Sequence, residues 1–333
     1  MSRILYEKCF PEDSEEFVDY YYAEKCRDNR ILAAAEGGEI ISMIHLNPFT
    51  VSLCGQPAAV HYLVAVATAE EYRRRGIMLQ LMQRALHDLY LAGEPFTFLM
   101  PANPDYYYSS GFEYWENQIR LVQDQDTVFA KGTQICEAGE EDCAALAACC
   151  NRLLAEQFDL YVLRDEAYYR RLLKEQESEN GKVVLLRRYP KPGEMAELYG
   201  SFCIAREGGV EIREPILPDS CTESINPVMM GRILNPERFC GMIKRAQRVS
   251  MDVVLRDAMI RENNGAFRIR IDKNGGEAVR IKGDEAPAGR AGKGPAERTA
   301  GGESPSGNET SMDIAKLSKL LFGDLRIYIN EVV

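Results

Sequence analysis

Three consecutive arginines and a glycine, Arg73, Arg74, Arg75 and Gly76, stand between an expected strand (62–68) and an expected helix. A helix N-terminus presents unpaired backbone N–H groups and a partial positive charge, which together bind anions such as phosphates. Gly76 would let the backbone approach a bulky diphosphate closely. The helix dipole contributes only about 0.3–1 kcal/mol, so the N–H groups and the arginines must supply most of the affinity. The alternative is a solvated helix start with three surface arginines, and the stretch alone favours neither.

This basic stretch belongs to an acidic chain of 333 residues with a formal net charge of −11. Such a chain lacks the basic face that nucleic acids and anionic membranes bind, so neither is an expected partner. No run approaches the ~18 apolar residues of a membrane-spanning helix. The N-terminal stretch lacks the apolar segment of a signal peptide, so a cytoplasmic location is expected. Ten cysteines without a C-x-x-C pair and three histidines do not favour a metal site, and no metal is expected.

Hydrophobic periodicity predicts an α+β protein, and the chain is long enough for two or three domains. Residues 1–125 contain strands with turns at Gly37-Gly38 and near Gly55, and then a helix from about Gly76. The apolar stripe of that helix is formed by Met78, Leu81, Met82, Ala85, Leu86 and Leu89. A short buried strand, 96–100, is expected to follow the helix.

The rest of the chain divides into two further units. Residues 126–225 again mix helices and strands. Residues 226–333 contain a helix, a hairpin that turns at 274–276, a second helix and a β-like run at the end. Within this unit, residues 284–310 are rich in glycine, proline and alanine without apolar periodicity, so this insert is predicted to be a disordered surface loop.

Three elements in a fixed order resemble the GNAT superfamily of acyl-CoA N-acyltransferases. Arg73 and Gly76 match the first two fixed positions of its acyl-CoA motif, while Met78 stands where the general pattern has glycine or alanine. Val64-Ala65-Val66 resembles the strand whose edge hydrogen-bonds the pantetheine arm. The stretch from Tyr107 to Gly111-Phe112 resembles the ending that carries the family's tyrosine.

The large residue at Met78 instead resembles a variant found in the enhanced intracellular survival (Eis) group. "VLRDEAYYRRLL", "MMGRILNPERF" and the terminal "INEVV" are similar to that group along nearly the whole chain. The resemblance implies tandem GNAT-like domains, with mixed central sheets flanked by helices, and a sterol-carrier-protein-2-like α/β domain. The catalytic domain would be 1–125, the degenerate second domain 126–225 and the sterol-carrier-like domain 226–333. It also implies a possible homo-oligomer. The departures are a shorter chain and the insert.

The resemblance implies acetyl-CoA as cosubstrate and assigns roles to individual residues. Tyr107 would be the general acid for the departing thiolate, chosen by register over Tyr106 and Tyr108. The C-terminal carboxylate of Val333 would be the base. Glu331 is expected to contact a cationic amine substrate because it is acidic and lies beside this terminus. Acetyl-CoA would be held by the following residues: Val64, Ala65, Val66, Arg73, Arg74, Arg75, Gly76, Ile77, Met78 and Asn103.

The acceptor is left open between polyamines, aminoglycoside-like compounds and lysines. Two other functions also remain possible: a non-catalytic acyl-CoA-binding regulator and a carrier of apolar ligands. Other polar residues have simpler interpretations. His45 and His61 are expected to be strand or core residues rather than bases. An acidic cluster is expected to be a solvated helix face rather than a substrate pocket: Asp13, Glu15, Glu16 and Asp19.

Overall fold

The computed structural model describes residues 1–115, 119–120, 133–188, 196–205, 211–218, 223–224, 228–281 and 310–329. Within these ranges the α-helices are α1 (Ser2–Cys9), α2 (Glu15–Ala23), α3 (Ile77–Leu91), α4 (Asp105–Tyr108), α5 (Cys143–Gln157), α6 (Glu166–Ser178), α7 (Pro236–Met242) and α8 (Ile314–Phe322).

The strands are numbered in chain order. Those before residue 165 are β1 (Arg30–Glu36), β2 (Glu39–Leu53), β3 (Gln56–Thr68), β4 (Phe96–Leu99), β5 (Glu113–Tyr114), β6 (Ile119–Arg120), β7 (Thr133–Glu137) and β8 (Leu160–Val162). The later ones are β9 (Lys182–Arg188), β10 (Glu197–Ala205), β11 (Glu211–Ile216), β12 (Glu223–Ser224), β13 (Met230–Ile233), β14 (Val249–Arg256), β15 (Gly265–Asp272), β16 (Gly275–Arg280), β17 (Thr310–Asp313) and β18 (Ile327–Tyr328).

Strands β1, β2 and β3 form the antiparallel meander that the sequence predicts. Gly37 and Gly38, between β1 and β2, both have positive φ angles, as does Gly55 between β2 and β3. Such angles favour glycine because a Cβ would crowd the backbone. These angles confirm the predicted turns. The bounds of α3 and β4 confirm the predicted helix after Gly76 and the predicted strand that begins at Phe96.

The sheet built on this meander has eight strands, in the order β18-β8-β2-β3-β4-β13-β5, with β1 on β2. Strand β2 is 15 residues long and has two neighbours on one edge. β1 pairs with its first part, up to Leu46, and β8 pairs with 51–53 at its end. Three strands of this sheet, β8, β13 and β18, come from beyond residue 125. The three predicted units therefore share a sheet, and their division into domains remains a prediction.

Two further sheets have four strands each, and β6 pairs with β12. The sheet β11-β10-β9-β7 packs on α5 and α6, and the sheet β16-β15-β14-β17 packs on α7. Thr310, which the sequence analysis places at the end of the disordered insert, instead begins β17, which pairs in parallel with β14. The predicted end of the insert thus overlaps β17 by one residue, because pairing with a distant strand leaves no local signal in the sequence. Residues 284–309 lie outside the described residues, so their predicted disorder stays a prediction.

Buried aromatic rings join the first sheet to the last part of the chain. Phe96 of β4 lies 6.0 Å from Phe239 of α7 and 5.5 Å from Phe322 of α8 between ring centroids. Trp115, which follows β5, lies 5.3 Å from Phe322. Edge and tilted contacts of this kind add to the burial of large apolar surfaces. The first sheet and the helices α7 and α8 therefore have a continuous core.

Among the described residues, no helix combines the length and apolar character needed to cross a membrane.

Candidate active site

A β-bulge interrupts β3 where the sequence analysis places the acyl-CoA-binding strand. Met43 of β2 pairs with Ala67 and His45 pairs with Val64, so that Ala65 and Val66 oppose the single residue Ile44. Ala65 has a φ of 50°, which is rare for a residue with a Cβ. A bulge bends its strand and interrupts the regular hydrogen bonds of the ladder. The backbone at Ala65 therefore turns away from a regular strand path.

The gap between β3 and β4 opens just before this bulge. The two parallel strands pair only at Tyr62 and Phe98. β3 continues to Thr68, whereas β4 ends at Leu99 and has its other edge covered by β13. Beyond Tyr62, the described residues supply no strand partner for this edge of β3. An open strand edge can hydrogen-bond an extended amide chain, and its N–H groups can stabilise a developing oxyanion.

The turn between β3 and α3 is the place where the arginine stretch predicts an anion site. Gly76 is the N-cap of α3 and has φ 75° and ψ 7°, in the left-handed region. The first intrahelical bond runs from the N–H of Gln80 to the carbonyl of Gly76, and no side chain caps the helix. The N–H groups of the first turn, including those of Ile77 and Met78, are thus available to an anion.

The three arginines of this turn differ in their contacts. Arg73 donates from Nε to the carbonyl oxygen of Thr68 at 3.1 Å, which ties the turn to the end of β3. Arg75 donates to the carbonyl oxygen of Glu71 at 2.8 Å and lies 4.9 Å from the ring centroid of Tyr72. Arg74, whose φ is 62°, makes no such contact within the described residues. Its exposed guanidinium group is the one left for a ligand.

Tyr107 is the buried member of the tyrosine run. It is 7% exposed, whereas Tyr106 is 59% and Tyr108 42% exposed. The side chain of Asn103 accepts a hydrogen bond from the N–H of Asp105 at 3.0 Å, in the turn that leads into α4. Burial, with a smaller effect of Tyr106, raises the pKa of Tyr107 to about 12. Its hydroxyl therefore keeps its proton at neutral pH and can donate it or a hydrogen bond.

The turn after α4 is held by a buried ion pair that the sequence analysis missed. Arg232 of β13 donates from Nε to the carbonyl oxygen of Ser110 at 2.6 Å and from Nη2 to Asp257 at 2.6 Å. Both side chains of the pair are 0% exposed. Arg232 and Ser110 are 122 residues apart in the chain, so no local pattern could connect them. The sequence around Arg232 carries a family resemblance but no local pattern that marks a buried ion pair.

The two strand histidines and the acidic cluster near α2 lie where the sequence predicts. His45 is buried, its Nδ1 lies 2.8 Å from the hydroxyl of Tyr21, and burial lowers its pKa to about 4. His61 lies 2.7 Å from Glu94. Both are strand residues, as expected. Glu15, Glu16 and Asp19 lie exposed on α2, and Asp13, just before α2, accepts a hydrogen bond from Tyr6. The acidic cluster is thus a solvated face rather than a pocket.

Two predicted site residues, Glu331 and Val333, lie outside the described residues, so their roles stay predictions. Within the described part of the chain, no three His, Cys, Asp or Glu side chains stand close enough together to hold a metal ion.

Comparison with known proteins identifies the class to which this site belongs. Residues 3–115 match the acetyltransferase (GNAT) domain family. The bulge of β3, the turn at Gly76 and Tyr107 all lie within this range. The chain therefore contains a GNAT acetyltransferase domain, and the enzyme class predicted from the sequence, an acyltransferase, is confirmed. No curated protein matches the chain in sequence.

Solved structures show the same fold over nearly the full chain. A probable N-acyltransferase from Enterococcus faecalis has a TM-score of 0.68 and 16% identity, and a GCN5-related N-acetyltransferase from Anabaena variabilis has 0.69 and 14%. Eis1 from Mycobacterium abscessus has a TM-score of 0.63 and 12% identity. Each comparison covers 96% of this chain and 86% of the other. At such low sequence identities, these similarities show a shared fold and nothing more.

Proposed function

We propose that this protein transfers the acetyl group of acetyl-CoA to a primary amine of a small cationic molecule or of a lysine. The observation that carries the proposal is the open, bulged edge of β3 beside the uncapped N-terminus of α3. The turn would bind the diphosphate through the N–H groups of Ile77 and Met78 and through Arg74. The pantetheine arm would lie along β3, with the thioester carbonyl at Val64–Val66.

The reaction exchanges one bond for another at the thioester carbon. The amine nitrogen attacks this carbon and forms the C–N bond, and the C–S bond breaks with its electron pair leaving on sulfur. Tyr107 gives its proton, or a strong hydrogen bond, to that sulfur. A base removes the proton that the amine nitrogen loses. Proton transfer by a positioned side chain typically contributes about 10²–10⁴-fold to the rate.

For the base we propose the α-carboxylate of Val333, as the family resemblance implies, and we propose that the acidic side chain of Glu331, close to the terminus, contacts the amine. A carboxylate with a pKa of roughly 3.3–3.7 is a weak base for an ammonium group, so its role would be to orient the amine or to act through water. Deleting 332–333, or adding a C-terminal tag, should then abolish turnover while acetyl-CoA still binds. Full activity in the tagged protein would rule out Val333, and an N-terminal tag is the control.

We also propose the Eis-like arrangement of two GNAT-like domains, 1–125 and 126–225, followed by a sterol-carrier-like domain, 226–333. The four-stranded sheet of β9–β11 and β7 under α5 and α6 supports a second GNAT-like unit. The separate sheet β16-β15-β14-β17 with α7 supports a distinct third unit. A homo-oligomer remains a prediction from the resemblance, and a cytoplasmic location remains a prediction from the sequence.

The test of the proposed function combines two measurements on the full chain. Calorimetric titration with acetyl-CoA measures cosubstrate binding, and release of the CoA thiol across a panel of primary amines measures transfer. Binding together with amine-dependent thiol release is expected. Binding without release for any amine would favour the non-catalytic regulator, and no binding would contradict both.

A further inference from the structure

A cavity of about 630 Å³ lies between β2 and α6. Its walls come from the segment after α2, from residues 47–50 of β2, from residues 163–165 and α6, and from Glu214 of β11. We refer to it as the β2–α6 cavity. Pockets of about 300–1,000 Å³ are typical of small-molecule sites, so it is large enough for a small organic ligand.

The β2–α6 cavity begins close to the bulge of β3. Asn47, which lines it, is two residues along β2 from His45, and His45 pairs with Val64. Two residues of a strand span roughly 6.6 Å, and their side chains point to the same face. His45 contacts Tyr21 of α2 on that face. The cavity therefore lies on the α2 face of the sheet, and it begins two residues along β2 from the pairing partner of Val64.

The carboxylates that line the cavity are already engaged. Glu175 pairs with Lys25 at 3.1 Å, Glu214 with Arg164 at 3.1 Å, and Asp28 with Arg171 at 2.6 Å. The fourth, Asp165, accepts a hydrogen bond from the N–H of Tyr168 as the N-cap of α6. Three basic side chains thus face four acidic ones.

This arrangement disfavours a polycation. Glu175 and Glu214 are buried with their cations, so a second ammonium group that took either carboxylate would leave a buried cation without its partner, which is strongly unfavourable. Asp28 is half exposed, so its pair with Arg171 at the rim is a weaker barrier. One excess negative charge matches one ammonium group. The charges of the β2–α6 cavity therefore fit an acceptor that carries a single positive charge.

Asn47 supplies a second preference. The residue is 1% exposed, and its amide Nδ2 has no hydrogen-bond partner among the described residues. A buried donor without an acceptor costs about 1–3 kcal/mol. A ligand oxygen in the cavity would remove this cost, whereas an ammonium group, which has no acceptor, could not.

From these observations we infer that the β2–α6 cavity is the acceptor site, and that it selects a primary monoamine bearing a carbonyl or hydroxyl oxygen over a polyamine. The inference rests on the proposed acetyl transfer and specifies its substrate class. Asn47 binds the oxygen, and the charge balance of the cavity admits one ammonium group.

The test compares two amines of equal chain length, 4-aminobutanamide and 1,4-diaminobutane, by acetyl-CoA-dependent thiol release with the full chain. The amide should have the higher kcat/KM by about 10-fold or more, because the oxygen pairs with Asn47 and the second ammonium group is absent. Equal values, a preference for the diamine, or no transfer to either amine by a protein that acetylates other amines would overturn the inference.

Two variants locate the preference in the cavity. Asn47→Leu removes an unpaired buried donor, so it should fold, and should lower kcat/KM for the amide by about 10–100-fold while the diamine changes little. Arg171→Gln, at the rim, frees Asp28 and should raise kcat/KM for the diamine. The control is Arg170→Gln, whose side chain pairs with Glu166 outside the cavity.

The outcomes separate the inference from the proposed function. If acetyl-CoA does not bind and no amine is acetylated, the proposed function itself fails. If amines are acetylated but neither Asn47→Leu nor Arg171→Gln changes the ratio of kcat/KM for the two amines, the acceptor lies elsewhere and only the inference fails. A ratio altered equally by the Arg170→Gln control would also contradict the assignment.

Discussion

Two glycine turns border the candidate active site, and they differ in what surrounds them. Gly76 and Gly111 are both left-handed, with φ angles of 75° and 83°. A Cβ on Gly76 would meet nothing within 4 Å. A Cβ on Gly111 would lie 2.6 Å from the Cγ2 of Ile314 and 3.1 Å from the Nε of Arg232. The side of the site at the Gly76 turn, which we propose binds acetyl-CoA and call the cofactor side, is thus open, and the side of Tyr107 is closely packed.

The difference follows from the origin of the contacts. On the cofactor side, Arg73 bonds to Thr68 and Arg75 to Glu71, which are five and four residues away. On the side of Tyr107, the carbonyl of Ser110 is held by Arg232. Local contacts can be changed one at a time, whereas a buried charge couples the turn to the whole core. Changes on the cofactor side should therefore affect binding, and changes near Tyr107 should affect folding and turnover.

The largest effect is expected for Arg232→Met. This substitution leaves the buried carboxylate of Asp257 without its cation, which typically costs about 3–5 kcal/mol. Urea denaturation should show this loss in the free energy of unfolding. Arg74→Met removes the same kind of charge from an exposed position and should change the stability by no more than about 0.5 kcal/mol. Equal losses of unfolding free energy in the two variants would contradict the proposed difference between the packed turn and the open one.

Tyr107→Phe should lower turnover by about 100- to 10,000-fold with little change in acetyl-CoA affinity. Since the pKa of Tyr107 is raised to about 12, its hydroxyl stays protonated through neutral and mildly alkaline pH. The ratio of wild-type to variant turnover should therefore be constant between about pH 7 and about pH 10. Tyr106→Phe is the matched control. A comparable loss of turnover in that variant would contradict the assignment of Tyr107 as the general acid.

The two glycines test the comparison directly. Gly76→Ala should cost about 1–2 kcal/mol, the strain of a left-handed backbone with a Cβ. Gly111→Ala adds the overpacking of Ile314, typically about 1–3 kcal/mol more. Thermal or urea unfolding of both variants measures the difference. Indistinguishable stabilities would show that the contact with Ile314 relaxes without cost.

The smallest effect is expected for Arg74→Ala. Loss of one exposed, charge-assisted contact should raise the KM for acetyl-CoA by about 3- to 10-fold and leave kcat nearly unchanged. Arg75→Ala should have a weaker effect on KM, because this guanidinium group already donates to Glu71 and lies over Tyr72. An unchanged KM in the Arg74 variant would remove this side chain from the diphosphate site.

Much of the cofactor side could be predicted from the sequence. The turns at Gly37-Gly38 and Gly55, the apolar stripe of α3 and the glycine at its N-terminus are encoded by residues a few positions apart. The bulge at Ala65 could not be predicted in this way, because an alternation of valine and alanine does not show which residue interrupts the pairing with β2. The resemblance to a known family pointed to this strand as the acyl-CoA-binding one, and the pairing with β2 shows where it bends.

Elements whose geometry depends on near neighbours could be predicted from the sequence: hairpin turns, the amphipathic helix α3 and the arginine turn at its start. Three other features became visible only in the folded chain. β8, β13 and β18 join the first sheet, Arg232 and Asp257 hold the turn after Tyr107, and Asn47 lines a cavity beside α6. The two groups differ in the sequence separation over which their interactions act. Backbone angles and side-chain periodicity act over a few residues, whereas the partner of a strand edge or of a buried charge depends on which distant segments pack against it.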